Sequence, residues 1–343
     1  MTTYYVDGAT GSNANTGTSE STAWQTITYA CASVSSGDTI YVKASQDYEE
    51  TVEVVQSMTE PTSLIGYTSS LTDGGKVTVQ GSNTRSYNLS TYTQSNHSWH
   101  FKNFVFESAT SRSMYATSGF HSRWIFENCV FRKGIGTATT AASFGNYNSI
   151  SDSHFINCVF EDFTANGINA KGTLYFVGCI FRNNGGGGCY SDNYTTLYAH
   201  RCLFANNAGH GFRPKVGYVF DCTFYENGYS AVSSTNIGLT SIKISNSLIV
   251  NHTNTSYSAI NAGVAYGCAF FNNHTKASSS ASTKEDIDLT SDPFVNAASG
   301  DFSISISSAV YSSLNHLQGV DHRDIGAIQH QDPSGGTKFH PLS

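Results

Sequence analysis

A four-residue motif recurs along most of the chain and restricts the folds that it can adopt. Its first residue is typical of turns, its second is Cys in six copies and its fourth is Phe in seven. The eight copies begin at Asn103, Asn128, Asn157, Gly178, Arg201, Asp221, Asn246 and Gly267, with steps of 25, 29, 21, 23, 20, 25 and 21 residues. A fixed motif with variable spacing indicates coils of one stack whose loops differ in length.

The residues around the motif predict how each coil turns. The second and fourth motif residues, for example Cys129 and Phe131, are two apart and therefore point to the same side of a strand. A mostly apolar residue precedes each second residue by three positions, at Phe101, Phe126, Phe155, Phe176, Ala199, Val219, Ile244 and Ala265. All of these side chains can face inward only if the chain bends at the first motif residue. Asn, Gly and Asp, which tolerate the left-handed conformation, occupy that corner in seven copies, and Arg201 is expected to be a strained corner.

These coils and corners resemble the pectate-lyase-like superfamily of right-handed parallel β-helices, in which an Asn ladder occupies the corner. The opening segments Tyr4–Gly8, Trp24–Ile27 and Gly37–Val42 and the closing segments Asp292–Val295, Gly300–Phe302 and Asp324–Ala327 are similar to those of such proteins. The resemblance implies an all-β fold, a single-domain solenoid. It implies no single function, because the superfamily contains lyases, hydrolases, isomerases and non-enzymatic viral fibres.

The expected organisation is one domain over residues 1–343. Residues 1–38 are predicted to form an N-terminal strand and a capping helix, residues 39–306 the coils, and residues 307–343 a C-terminal cap and tail. The helix is predicted over residues 22–34, with Trp24, Ile27, Cys31 and Val34 on one face and a capping box formed by Thr22 with Gln25. The first coil strands are predicted at Thr39–Val42, Thr51–Val55, Ser63–Tyr67 and Val77–Gly81, and the last at Asp301–Ile306.

The charge pattern argues against a nucleic-acid partner, and the hydropathy pattern argues against a membrane span. Only 13% of residues are charged, the formal net charge is −7, and no block of Lys and Arg provides a nucleic-acid footprint. No apolar run approaches the roughly 20 residues that a membrane span needs. The N-terminus lacks the basic and apolar regions of a signal peptide, which favours folding in the cytoplasm.

The eight Cys residues are predicted to be reduced core residues. Six of them occupy one inward position on successive coils, and Cys189 and Cys31 also face inward. Parallel strands lie about 4.8 Å apart, whereas a disulfide needs Cβ atoms about 3.8 Å apart. No Cys-x-x-Cys pair exists and no His joins the column, so a metal site is not expected. Free thiols are typical of a reducing compartment.

One outward strip combines residue types that bind glycans. Aligned coils place Asn169, Tyr190 and Arg213 side by side, next to Lys171, Asp192 and Lys215. One interpretation is a Lys–Asp–Lys charge ladder that keeps the coils in register. A second is a glycan-contact strip, with Tyr190 as the stacking platform and Arg213 as an anion clamp. A third is lyase chemistry by Lys215 or Arg213.

Two further motifs have an ordinary structural interpretation beside a functional one. His210 lies in a Gly-His-Gly sequence, as in pectin hydrolases, but the paired Asp residues of those enzymes are missing and a turn is favoured. We nevertheless include His210 among the glycan-binding candidates. Asp7, Asn13 and Asn15 lie in a Gly-containing loop with oxygen ligands suited to Ca²⁺, although turn formation is favoured and no cofactor is expected.

Two classes of function remain open, and no catalytic residue is assigned. The first is a structural or receptor-facing bacteriophage protein, such as a decoration, fibre or spike component. It would fold in the host cytoplasm, contact other virion proteins and bind a host surface glycan. The alternative is a secreted polysaccharide lyase or glycoside hydrolase. The outward Tyr175, Tyr198 and Tyr218 form an apolar stripe that predicts self-association, with a homotrimer expected.

Overall fold

Parallel strands stacked in register form three sheets that run along a solenoid. The structure is a computed structural model and describes residues 1–91, 98–116, 123–144, 152–191, 195–234, 242–279, 281–299 and 301–304. In this part of the chain each coil passes from a strand of sheet A through a corner to sheet B and then to sheet C. The predicted all-β parallel solenoid is therefore confirmed.

Sheet A carries the longest strands of the described residues and has twelve of them. They are Thr3–Asp7, Thr39–Lys43, Thr62–Tyr67, Ser98–Lys102, Arg123–Glu127, Ser153–Ile156, Thr173–Val177, Thr196–His200, Val216–Phe220, Ile242–Ser245, Gly263–Tyr266 and Ala281–Lys284. Inward and outward side chains alternate, as in Thr196–His200, where Leu197 and Ala199 are buried.

Sheets B and C complete the coils with strands of two to five residues. Sheet B consists, among the described residues, of Val77–Gln80, Phe104–Glu107, Val130–Arg132, Val159–Glu161, Ile180–Arg182, Leu203–Ala205, Thr223–Tyr225, Leu248–Val250, Ala269–Phe271 and Ile287–Asp288. Sheet C consists of Val52–Glu53, Tyr87–Thr91, Arg112–Ala116, Thr140–Phe144, Ile168–Ala170, Cys189–Ser191 and Phe212–Arg213. Single bridges extend sheet C through Val232, Ile260 and Ala277.

The first residue of every motif copy turns the corner between sheets A and B as predicted. All eight have positive φ, between 50° and 65°, and Arg201 is among them at 54°. The Asn ladder at this corner is also present: Asn128 Nδ2 donates to Asn103 Oδ1 at 2.8 Å, and Asn246 donates to Asp221. Arg201 therefore carries strain that Gly would avoid.

A second corner, between sheets B and C, was not predicted. Here too the backbone has positive φ, at Ser108, Asp162, Asn183, Asn206, Glu226, Asn251 and Asn272. A buried amide ladder follows it: Asn184 and Asn207 each donate from Nδ2 to Oδ1 of the Asn on the next coil at 2.8 Å. The ladder position is occupied by Asn184, Asn207, Asn227, His252 and Asn273. The sequence signal is the Asn pair that begins two residues after the motif Phe.

Stacked rings and thiols fill the interior. Phe106, Phe131, Phe160, Phe181, Phe204 and Phe224 follow one another along the axis, with ring centroids 4.6 to 5.1 Å apart. Removal of one such ring would cost about 3–5 kcal/mol. All eight Cys residues are buried and free, in the inward positions predicted for them.

The predicted N-terminal helix is shorter than expected. It spans Ile27–Ser33, and Thr26 is its N-cap, with the side chain accepting from the Tyr29 backbone N–H. The capping box of Thr22 with Gln25 is therefore wrong. Trp24 is buried outside the helix, where it pairs with Val6 of the first strand and stacks on Tyr4 at 4.8 Å. The backbone at Trp24 is extended: its N–H donates to the Tyr5 carbonyl, and its carbonyl accepts from the Asp7 N–H. The helix therefore cannot include Trp24 and begins after it.

The C-terminal part of the coil prediction is also wrong. The parallel strands end at Asp288, and Phe294–Asn296 pairs antiparallel with Asp301–Ile304. This hairpin packs outside sheet B, where Phe294 and Phe302 contact Tyr225. The apolar outer positions of the later sheet B strands explain this placement. The proposed cap over residues 307–343 lies outside the described residues.

Elsewhere, charges cover the outer face of sheet B. Glu107, Arg132, Glu161 and Arg182 alternate on successive strands, and Arg182 Nη2 lies 2.7 Å from Glu161 Oε2. Such exposed pairs contribute about 0–1 kcal/mol each, but they favour one register. No helix in the described ranges is long and apolar enough to cross a membrane.

The buried thiols should be unreactive in the folded protein. Burial raises the pKa of the Cys31 and Cys189 thiols and raises that of Cys268 to about 12. We expect a thiol reagent such as Ellman's reagent to react very slowly with native protein and to titrate eight thiols after denaturation without reductant. Two or more missing thiols would show disulfide pairing and contradict both the core assignment and the reducing compartment.

His252 should make stability depend on pH. It replaces Asn in the buried ladder, its ring nitrogens lack a hydrogen bond of normal geometry, and burial lowers its pKa to about 4. The unfolded chain, with a His pKa of about 6.5, is therefore protonated first, and stability is lost as the pH falls from about 6.5 to 4.

The variant His252→Asn should stabilise the protein and weaken this pH dependence. We expect the loss of unfolding free energy between pH 7 and pH 5, measured by urea denaturation, to shrink by roughly 2 kcal/mol. The exposed His274 on the next coil supplies the control variant His274→Asn. An unchanged pH dependence in His252→Asn would contradict the assignment.

Candidate functional site

The predicted neighbours Asn169, Tyr190 and Arg213 lie on adjacent strands of sheet C and lead into a surface site at the turns between sheets B and C. We call this region the B–C site. It comprises the rings and charged groups of Tyr190, His210, Arg213, Tyr229 and Tyr257 and an adjoining groove. The groove is lined by Glu226, Asn227, Gly228, Asn251, Thr253, Asn254 and Asn272.

Arg213 and Tyr190 act as one unit. Parallel pairing places Asn169, Tyr190 and Arg213 side by side on successive strands, as predicted. The Arg213 Cζ atom lies 5.5 Å from the centroid of the Tyr190 ring, over the ring itself. One face of Tyr190 is thus covered by a guanidinium, so that face is not a platform for a sugar. Asn169 is held by Asn166, whose Nδ2 donates to its Oδ1 at 2.8 Å.

Within the described ranges, little compensates the charge of Arg213. Its Nε is buried without a hydrogen bond, and no carboxylate pairs with it among the residues that the structure describes. Stacking on Tyr190 stabilises a cation by about 0.5–2 kcal/mol but leaves the buried Nε–H without an acceptor. A half-buried guanidinium in this state favours an incoming anionic group.

The charge ladder proposed beside the strip is not tested. Asp192, its central member, lies outside the described residues. The Lys215 backbone N–H donates to Ser191 Oγ at 3.0 Å, which ties its coil to the previous one. Because Asp192 is not described, the Lys–Asp–Lys interpretation remains a prediction.

His210 is a neutral hydrogen-bond donor at the edge of the strip. Its Nδ1 accepts a hydrogen bond from the Ser230 backbone N–H at 3.2 Å, so the ring proton resides on Nε2. Burial and the nearby charge of Arg213 lower its pKa to about 4. The imidazole therefore remains uncharged at neutral pH, which avoids repulsion from Arg213.

Two tyrosines that the sequence analysis missed, Tyr229 and Tyr257, also belong to the site. Tyr229 and Tyr257 lie on neighbouring coils with ring centroids 4.6 Å apart and an interplanar angle of 26°. Both meet His210 edge-on, at 5.2 and 5.7 Å. Tyr229 is 42% exposed. Its sequence signal is weak: Tyr229, like His210, directly follows a turn Gly.

The groove beside these rings is lined by amides and contains one carboxylate. Its volume is about 410 Å³. Asn272 Nδ2 donates to Asn251 Oδ1 at 2.9 Å, and Asn251 Nδ2 donates to Glu226 Oε1 at 3.3 Å. Asn254 Nδ2 is fixed by the Gly228 carbonyl at 2.7 Å. Aligned donors and acceptors of this kind match vicinal hydroxyl groups.

The N-terminal loop uses its candidate calcium ligands to hold turns. The Asp7 carboxylate accepts from the Ala9 and Thr10 backbone N–H groups and from Ser45 Oγ at 2.7 Å. Asn13 Oδ1 accepts from the Gln25 backbone N–H, and Asn15 Nδ2 donates to the Ala23 carbonyl. This supports the turn interpretation. Over the described ranges, no three His, Cys, Asp or Glu side chains are grouped to hold a metal ion.

Comparison with known proteins supports the fold and leaves the function open. No protein-family model and no curated protein sequence matches the chain. A pectate lyase, Pel9A, is structurally similar with a TM-score of 0.64, 16% identity and coverage of 96% of this chain and 97% of that one. A GH136 lacto-N-biosidase from Eubacterium ramulus has a TM-score of 0.51 at 11% identity, covering 84% and 67%. The predicted resemblance to pectate-lyase-like β-helices is thereby confirmed as a likeness of fold.

The protonation of His210 can be measured directly. We expect ¹⁵N-histidine NMR to show the Nε2–H tautomer at pH 7 and a titration midpoint near 4 for this residue. In Arg213→Ala the midpoint should rise, because the neighbouring positive charge is removed. Arg112→Ala, which removes a similar Arg from a distant part of sheet C, should leave it unchanged. A midpoint near 6.5 in the wild-type protein would refute the assignment.

Proposed function

We propose that this protein binds a saccharide chain along the B–C site. The observation that carries the proposal is the continuity of the Arg213–Tyr190 pair, neutral His210, exposed Tyr229 and the amide-lined groove on neighbouring coils. Sugars combine apolar C–H faces with hydroxyl groups, and this surface offers a partner for both.

Each part of the site has a distinct role in this proposal. Tyr229 presents an exposed ring to the C–H face of one sugar unit. Asn251, Asn254 and Glu226 receive the hydroxyl groups of the next unit in the groove. Arg213 receives a carboxylate or sulfate with a forked pair of hydrogen bonds, and Tyr190 holds it in place. The stacking role moves from Tyr190 to Tyr229 because Tyr229 is the more exposed of the two rings.

Two biological settings are compatible with such binding. A bacteriophage virion protein that contacts a host surface glycan is supported by the eight free thiols, which suit folding in a reducing cytoplasm. A secreted polysaccharide lyase or glycoside hydrolase is supported by the fold shared with pectate lyase Pel9A. The groove itself holds one carboxylate, whereas most glycoside hydrolases use two. We therefore place binding before catalysis.

The binding test uses a matched pair on the same sheet. Arg112 lies over Tyr115 at 5.4 Å, much as Arg213 lies over Tyr190, but on coils far from the groove. On a panel of acidic and neutral oligosaccharides, we expect Arg213→Ala and Tyr229→Ala to weaken binding at least tenfold. Arg112→Ala and Tyr115→Ala should bind like the wild-type protein, and the melting temperature of each site variant should match that of its control.

The outcome also separates the two settings. Equal binding by the site and control variants would reject the B–C site as the binding surface. Release of unsaturated or reducing ends from a bound polysaccharide, measured by absorbance and reducing-sugar assays, would favour the enzyme. Binding without product release, together with recovery of the protein in purified particles, would favour the virion protein.

A further inference from the structure

Tyr225 lies between the C-terminal hairpin and the groove of the B–C site. It is the last residue of the sheet B strand Thr223–Tyr225 and directly precedes Glu226, the carboxylate of the groove. Its ring points outward, because the neighbouring Phe224 belongs to the inward column, yet only 6% of Tyr225 is exposed. Another part of the chain therefore covers this outward ring.

The hairpin provides that cover through two phenylalanines. The centroids of Phe294 and Phe302 lie 5.7 and 5.2 Å from that of Tyr225, and 5.3 Å from each other. The three rings meet at interplanar angles of 70°, 75° and 86°, which is the edge-to-face arrangement that aromatic pairs favour. The docked hairpin thus fixes the position of the Tyr225 ring.

The hydroxyl group of the same tyrosine belongs to the groove. It forms side-chain hydrogen bonds with Glu226 and Asn251. Strand pairing explains this proximity: Tyr225 pairs with Val250, so the residues that follow them, Glu226 and Asn251, are neighbours on adjacent coils. Burial, and after it the hydrogen bond with Glu226, raise the pKa of Tyr225 to about 12. The hydroxyl group therefore keeps its proton at neutral pH and remains a donor.

The hydrogen bonds of the groove converge on this point. Asn272 Nδ2 donates to Asn251 Oδ1 at 2.9 Å, and Asn251 Nδ2 donates to Glu226 Oε1 at 3.3 Å. The second bond is longer than most N–H···O hydrogen bonds and by itself would hold a flexible Glu side chain weakly. The Tyr225 hydroxyl group adds a contact to both Glu226 and Asn251 and so determines where their polar atoms lie.

Packing alone does not explain the hydroxyl group. The equivalent outward positions on neighbouring strands of sheet B are Ala205, Val250 and Phe271, which have apolar side chains. A hairpin that only covers an apolar patch would dock equally well on a phenylalanine at position 225. The polar atom of Tyr225 is directed to Glu226 and Asn251, which line the groove.

We infer that Tyr225 is a positioning residue through which the C-terminal hairpin controls the saccharide groove. The docked hairpin fixes the ring, and the hydroxyl group holds Glu226 and Asn251 in the arrangement that receives sugar hydroxyl groups. This inference rests on the saccharide binding proposed above. Because such coupling is reciprocal, a saccharide bound to these two residues also stabilises the docked hairpin.

The first test removes the hydroxyl group and keeps the ring. Tyr225→Phe should weaken saccharide binding about fivefold, the typical effect of one hydrogen bond, while its melting temperature stays close to that of the wild-type protein. Tyr266→Phe, on a tyrosine of sheet A that is 44% exposed, is the matched control and should bind like the wild-type protein. Unchanged binding in Tyr225→Phe would overturn the inference.

The second test asks whether the hairpin acts through this hydroxyl group. Phe302→Ala should weaken binding to a similar extent, whereas Val295→Ala, on the 59% exposed residue of the same hairpin, should not. In the Tyr225→Phe background, Phe302→Ala should add little, because the connection is already broken. Losses that add in the double variant would show that the hairpin affects binding by another route and would overturn the inference.

An NMR measurement without saccharide separates this inference from the proposed function. The Asn251 side-chain amide resonances should shift in both Tyr225→Phe and Phe302→Ala and remain in place in both controls. If they shift although the wild-type protein binds no saccharide, the proposed function fails and the connection between hairpin and groove stands. If the protein binds saccharide but neither variant moves the Asn251 resonances, the connection is overturned and the proposed function stands.

Discussion

The fold depends on hydrogen bonding between successive coils in a single register. Once one coil lies in register on the previous one, every side chain has the equivalent residue of its neighbours about 4.8 Å above and below. Like residues then accumulate in columns: Phe on Phe inside, Cys on Cys, amide on amide at the corners. A shift of one residue would turn the apolar columns outward. The corners hold this register because a positive φ there reverses the strand alternation at the same place in each coil.

The columns of inward side chains could be predicted because every coil has to bury side chains at the same positions. All eight first corners are confirmed, including strained Arg201, since a corner in that place is the one way to bury both Phe126 and Cys129. The second corner was overlooked because an Asn pair marks it in only three coils, beginning at Asn183, Asn206 and Asn272. The helix start and the C-terminal hairpin depend on contacts that occur once, such as the pairing of Trp24 with Val6. A sequence repeat carries no information about contacts that occur only once.

The candidate site was predicted in part, for a related reason. Alignment of the coils brought Tyr190 and Arg213 together, because strand register carries outward residues along with inward ones. It could not show that the guanidinium covers the Tyr190 ring, since side-chain conformation is not periodic. Tyr229 and Tyr257 lie in turns of different length, so equal spacing does not identify them as neighbours. The repeat therefore does not place side chains in turns whose length varies from coil to coil.

The C-terminal hairpin has a consequence for the order in which parts of the chain can fold during synthesis. Leu203, Tyr225 and Leu248 belong to coils that are complete long before residues 294–304 leave the ribosome, yet Phe294 and Phe302 cover this apolar patch. The coils can form progressively from the N-terminus, since each needs only the one before it. The outer wall of sheet B remains unfinished until the last strands arrive. During synthesis the growing solenoid therefore exposes an apolar patch on the outer face of sheet B. The C-terminal hairpin covers this patch only after it has been synthesised.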